Sequence, residues 1–193
     1  AARRDEILPF LDRLHAELAT PILYVSHDVD EVCRLCDHLV VLDAGSVVAD
    51  GDLQSVLVRM DVPQLAGGEA SALVTGEVTA YEDDYELTHI RFPGGEFRVP
   101  GRHGAPGTTL RLRIRANDVS LCRGRPEETT ILNILPARID AIDAVGGASE
   151  LVRLAVGDVR LLARVTRRSI DELGLAAGQS IHAQIKAVAV REP

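Results

Sequence analysis

The sequence predicts two unlike parts: an α/β segment in its first third, then an all-β region of small barrels. Three observations predict this. The first 60 residues mix helical and strand-like apolar spacing. From Ser71 onward the pattern shortens to apolar runs separated by Gly turns. Two stretches of that later region also align with each other, as an internal repeat would.

The elements follow in order. Ile7, Leu8, Leu11, Leu14 and Leu18 fall at helical spacing over residues 3–19, with charges on the opposite face and Pro9 bending the run or marking its first turn. The run PILYVSHD from Pro21 reads as a short, buried parallel strand. A helix over 28–36 follows, capped by Ser26 or Asp28. Residues 38–50 read as two strands joined at Asp43-Ala44-Gly45-Ser46, and Gly51-Asp52 opens a helix to about Met60. Pro63, Gly67 and Gly68 mark a boundary at about 61–70. This gives domains of 1–65 and 71–193.

The second part reads as strands in LVTGEVTAYE, YELTHIRF, EFRVP, TTLRLRIRA and DVSLC, then in ILPARIDAID, SELVRLAV, VRLLARV and SIHAQIKAVAV. One helical insert, Arg167 to Leu173, interrupts the second set. Short strands and Gly turns of this kind suggest OB-type barrels. Gly76–Ala80 aligns with Ala137–Ala141, and Gly107–Ala116 aligns with Gly178–Ala187. The offset grows from 61 to 71 because of the insert. Half-repeats of about 71–124 and 128–190 result, with Arg115 equivalent to Lys186.

Composition narrows the function. The 193 residues include 46% hydrophobic side chains, enough for real cores, yet only three Tyr, three Phe and no Trp. Stacking platforms for bases are therefore not expected, and the net charge of −8 argues against nucleic acid as a partner. Residues 1–65 hold five basic against twelve acidic residues, and 66–193 hold 16 against 17. The later region can thus host an anion without opposing its own field. Three cysteines do not suggest a disulfide framework, which points to a reducing cytoplasm. No stretch reaches the roughly 18 apolar residues of a membrane span, so the chain reads as soluble. The only methionine is Met60, and the chain is expected to be the later part of a longer protein, cut before Ala1.

The string TPILYVSHDVDEVCRLCDHLVVLDAGSVVADG resembles the switch-histidine region of ABC transporter ATPases. The resemblance covers residues 1–60 as an ordered series: strand, Ser-His-Asp, a helical Glu, then the Asp-led hairpin with its Gly. It implies that His27 is the switch histidine, whose family role is to sense the γ-phosphate or attacking water. A phosphate loop of the type G-x-x-x-x-G-K-[ST] is absent from the sequence, as are the LSGGQ-type signature and an acidic Walker B strand. The intact subunit is expected to be an ATPase using ATP and Mg²⁺, and this chain alone is expected to be inactive.

Residues Thr129 to Ile139, TTILNILPARI, are similar to the opening strand of the TOBE, or molybdate-binding MOP-like, family. The closing strand is similar in Ala183 to Val188, and the segment Arg111 to Val119 resembles the linking segment in ATPase subunits of molybdate importers. Together these cover most of 71–190. The resemblance implies a regulatory, dimer-forming region that senses molybdate or tungstate. Thr130 and Asn133 would supply a hydroxyl and hold the turn, while Lys186, the single lysine, and Arg115 would offset the anion's charge. Stand-alone molybdate-binding proteins often carry Arg where this chain has Leu132. The implied partners are a second copy, membrane permease subunits and the oxyanion, at the cytoplasmic face of the membrane. Alternatives are an ABC importer subunit for sulfate, sugar or polyamine, and a stand-alone oxyanion-binding protein.

Other motifs read as structure. Cys33-x-x-Cys36 lies on a helix without further metal ligands, so packing explains it better than zinc or redox chemistry. Cys122 reads as core, Arg167-Arg168 as surface charge, and His89, His103 and His182 show no ligand spacing. Gly94-Gly95 and Gly146-Gly147 read as hairpin turns.

Overall fold

In the computed structural model, residues 21–144 and 146–191 are described. The helix expected over 3–19 lies outside them. The first described element is helix α1 (Val29–Leu35), followed by the hairpin β1 (His38–Asp43) and β2 (Ser46–Asp52). Two short helices come next, α2 (Leu53–Leu57) and α3 (Pro63–Ala66). The hairpin turns at Ala44 and Gly45, both with positive φ, as the Asp-Ala-Gly-Ser signal requires.

The expected strand at Pro21–Val25 does not form: the segment has no ladder, and Leu23 is 92% exposed. The physical reason is the lack of neighbours. A parallel strand takes its hydrogen bonds from flanking strands, and none of the described strands pairs with these residues. The helix expected to reach Met60 also ends early, at Leu57. Val58 and Met60 instead turn into the barrel core.

The remaining chain forms two five-stranded antiparallel sheets. Their strands are β3 (Ser71–Glu82), β4 (Leu87–Phe92), β5 (Gly95–Pro100), β6 (Thr109–Arg115), β7 (Val119–Cys122), β8 (Asn133–Ala144), β9 (Ser149–Val156), β10 (Val159–Thr166), β11 (Ser180–Ile185) and β12 (Ala189–Arg191). Helix α4 (Arg167–Leu173) interrupts the second set where the sequence predicts it, with Thr166 as N-cap and left-handed Gly174 as C-cap.

The sheet orders are β12-β6-β3-β4-β5 and β10-β9-β8-β11-β7. Position for position, both follow one pairing scheme, but the fifth strand is exchanged. β7 follows β6 in the chain yet pairs with β11, and β12 follows β11 yet pairs with β6. The run expected as one strand over 180–190 therefore breaks at Lys186–Val188, where the chain crosses between sheets. The register irregularities match as well. One lies between Val78 and Ala80 and the other between Ile139 and Ala141, the same offset of 61 seen in the sequence.

One apolar core joins both sheets, from Val74, Ile90, Leu112 and Ile114 on one side to Ile139, Leu154, Leu161 and Ile181 on the other. The hairpin turns interlock against it. A Cβ on Gly94 would lie 2.4 Å from the Val156 carbonyl oxygen, and one on Gly157 would lie 2.5 Å from that of Pro93. Ala66 and Ala70, within the expected boundary segment, pack into this same core.

Candidate functional site: the switch segment and the anion end of the barrels

His27 is exposed, immediately before the N-cap of α1. Asp28 provides that cap: its Oδ1 accepts from the backbone N–H of Asp30 at 2.8 Å and of Glu31 at 3.4 Å. The Ser26 hydroxyl does not cap the helix. It donates to buried Glu31 and accepts the Asp28 N–H at 3.1 Å, while the Tyr24 hydroxyl donates to the same carboxylate at 2.9 Å. Glu31 thereby holds the segment leading to His27. An apolar cavity of about 870 Å³ opens beside it, lined by Ile22, Val25, Val32, Leu39 and Leu65 among others.

An arginine pair missing from the sequence-based candidates ties α1 to the first barrel. Arg113 on β6 is 2% exposed, and all three of its guanidinium nitrogens are used. Nε donates to Ser71 Oγ at 3.0 Å, Nη1 to Asp30 of α1, and Nη2 to the Glu69 carbonyl and carboxylate at 3.2 Å. Burial works against its charge, but the Asp30 hydrogen bond and charge, with Glu69, hold its pKa above the usual arginine value. Two residues earlier, Arg111 donates to the Cys36 carbonyl at 2.9 Å and pairs with Asp37 at the far end of α1. A signal existed in the sequence. Arg111, Arg113 and Arg115 alternate with Leu112 and Ile114, so one strand face is cationic, and the acidic excess of the first third is its partner.

The residues expected to hold an anion come to one end of the second sheet. Ile185 pairs with both Val119 and Asn133, so the next residue, Lys186, stands between Asp118 and Leu132. The Lys186 backbone N–H donates to the Asp118 carbonyl at 2.9 Å, and its side chain is exposed. Arg115 reaches the same place and pairs with the Asp118 carboxylate at 3.3 Å. Thr130 is exposed three residues before β8, and Leu132 is 54% exposed beside them. Lys186, Arg115 and Asp118 thus share one neighbourhood, with one carboxylate against two cations.

Asn133 has another task. It is buried, and its amide bridges to the first barrel: Oδ1 accepts from the Arg98 N–H at 2.8 Å and Nδ2 donates to the Arg98 carbonyl at 3.1 Å. Both polar atoms are spent on β5, so it acts by fixing the strand start.

The cysteines behave as packing groups. Cys33 is fully buried against Leu53, Leu57 and Leu73, and no disulfide joins the three cysteines. Burial, then the Asp37 charge, raises the Cys36 pKa against the opposing Arg111. Burial also raises that of Cys122, which is half-buried and donates weakly to the His182 carbonyl. Arg167 pairs with Glu150 and Arg168 with Glu172, as surface charges do. Among the described residues no group of His, Cys, Asp and Glu is arranged to hold a metal, and no helix is long and apolar enough to cross a membrane.

Comparison with known proteins gives this geometry a context. Residues 129–191 match the TOBE domain family. The chain is 48% identical over 97% of its length to molybdenum import ATP-binding protein ModC 1 of Azotobacter vinelandii, and 46% identical over 98% to ModC of Methylococcus capsulatus. It spans about half the length of these relatives, 52% and 54%. Among solved structures it resembles the cytoplasmic molybdate-binding protein ModG with molybdate bound, at TM-score 0.56 and 25% identity. That likeness covers 63% of this chain and 95% of the other.

Proposed function

We propose that this chain, homologous along nearly its whole length to molybdenum import ATP-binding proteins, is the C-terminal part of such a subunit. The observation that carries the reading is the alignment over 97% of the chain at 48% identity, with a TOBE domain match at residues 129–191. On this reading residues 1–65 end a nucleotide-binding domain of α/β type. Residues 71–193 form the regulatory region, built from half-repeats of about 71–124 and 128–190. The intact subunit would hydrolyse ATP with Mg²⁺, act as a homodimer and dock on permease subunits at the inner face of the membrane. On this reading the chain alone would not hold ATP, because its sequence carries no phosphate loop of the G-x-x-x-x-G-K-[ST] type. The switch role of His27 belongs to the intact subunit.

The anion end is the sensing element of this reading. Thr130, Lys186 and Arg115 would solvate and neutralise a tetrahedral dianion, and Asn133 would position the strand that presents Thr130. Exposed Leu132 suits a site completed by a second copy. Coupling to the switch would run through β6. Arg115 lies at its anion end, and Arg113 and Arg111 grip α1, whose cap directly follows His27. An anion that favours one dimer arrangement would thereby bias the switch segment.

Calorimetric titration of the chain with molybdate, tungstate and sulfate tests this. Molybdate and tungstate should bind more tightly than sulfate, Lys186→Ala should weaken binding about tenfold, and Leu132→Arg should strengthen it. No heat from any of the three would sink the sensing role. Tight Mg-ATP binding by this chain would overturn the expectation that it is inactive alone.

A further inference from the structure

A second cationic site lies elsewhere on the same sheet. β11 turns Ile181, Ala183 and Ile185 into the core, so Ser180 and His182 face outward. On β8, Ala137 and Ile139 face the core and Pro136 and Arg138 face outward. The register pairs Ser180 with Arg138 and His182 with Pro136, which brings these side chains to one face. Arg123, just past β7, joins them. Together they line an open cleft of about 410 Å³ whose lining contains no Asp or Glu. That volume is within the range of small-molecule sites.

One carboxylate is shared by two cations here: Asp140 pairs with Arg160 at 2.5 Å and more loosely with Arg138 at 4.0 Å. Arg123 has no ion pair among the described residues. His182 Nδ1 is buried and lacks a hydrogen-bond partner among them.

We propose that this cleft binds a tetrahedral, phosphate-type anion, either the free ion or a small phosphomonoester. Arg123 and Arg138 supply the charge, Ser180 a hydroxyl and His182 an N–H. The site is separate from the anion end: Lys186 lies four residues beyond His182, about 13 Å at the strand rise of roughly 3.3 Å per residue. It does not rest on the importer reading.

Calorimetry and ¹⁵N NMR of the full chain, with inorganic phosphate and with glycerol phosphate as probes, test it. Saturable binding is expected, with a shift of the His182 side-chain nitrogen signals. The Arg123→Ala/Arg138→Ala double variant should raise Kd at least tenfold and abolish the His182 shift, while Arg168→Ala, at a surface cation paired with Glu172, leaves both unchanged. Both arginines are exposed, so the double variant should retain its circular dichroism spectrum. Tighter binding of glycerol phosphate would identify an ester as the ligand, and equal binding the free ion. The proposal fails if neither probe binds saturably at millimolar concentration. It fails equally if Lys186→Ala, and not the double variant, abolishes binding.

Discussion

Arg113 is a buried cation that holds together segments far apart in sequence. Its partners Asp30 and Glu69 are themselves 48% and 67% exposed, which softens the loss when the arginine is removed. Arg113→Ala should therefore cost about 2–3 kcal/mol, below the upper range for breaking a buried pair. Urea unfolding would measure it, and faster amide exchange in α1 would show that the helix has come loose. Arg113→Lys should recover only part of the loss, because an ammonium cannot reach Ser71, Asp30 and Glu69 with a fixed fork. The thiols offer a pH test at the same scale. Raised pKa values keep Cys36 and Cys122 protonated at neutral pH, where the thiolate is the reactive form. Alkylation at pH 7.5 should be slower than for free cysteine and should rise as pH climbs through the raised values. Rapid labelling at neutral pH would contradict the packing role given to Cys33-x-x-Cys36.

At the scale of elements, helix α1 and the interlocked turns show how local chemistry and packing divide the work. α1 was legible because Asp28 caps it and apolar residues recur at helical spacing. The Gly94-Gly95 turn reads as a hairpin in the sequence, yet its contact with the turn at Gly157 was invisible, since the two glycines are 63 positions apart. Gly157 has φ +57, and any Cβ there would strike the Pro93 carbonyl. Gly157→Ala should destabilise by about 2–4 kcal/mol, combining left-handed strain with a backbone clash that no side-chain rotation relieves. Gly146→Ala is the control. It also has positive φ but nothing within 4 Å, so its cost should be near 1 kcal/mol. Comparable thermal shifts for both would remove the clash from the account.

Across the whole molecule, the exchanged strands make the two barrels one cooperative unit. β12 closes the first sheet after the chain has built the second, and Val188 and Val190 pack against the shared core. Truncation after Lys186 should cost about 3 kcal/mol from two half-buried valines and the lost ladder bonds. In calorimetry that appears as one transition moved down by roughly 6–12 °C. Two separated transitions would mean that the sheets melt independently. The expected strand at Pro21–Val25 marks the opposite case. Its apolar content was right for a buried strand, but a ladder needs neighbouring strands and the described residues supply none.

The sequence by itself determined most strands and helices from residue 28 onward, though not the end of α2, the short α3 or the break at Lys186–Val188, and it carried the repeat at offsets 61 and 71. Those features follow from apolar period, caps and Gly turns, which act over a few residues. Tertiary structure alone decided that β7 and β12 change sheets and that Asn133 spends its amide on Arg98. It also decided that Arg113 is buried against α1 and that Arg123, Arg138, Ser180 and His182 share a cleft. Each of these depends on which distant backbone arrives beside the residue. Register and burial set that, and both are properties of the packed whole.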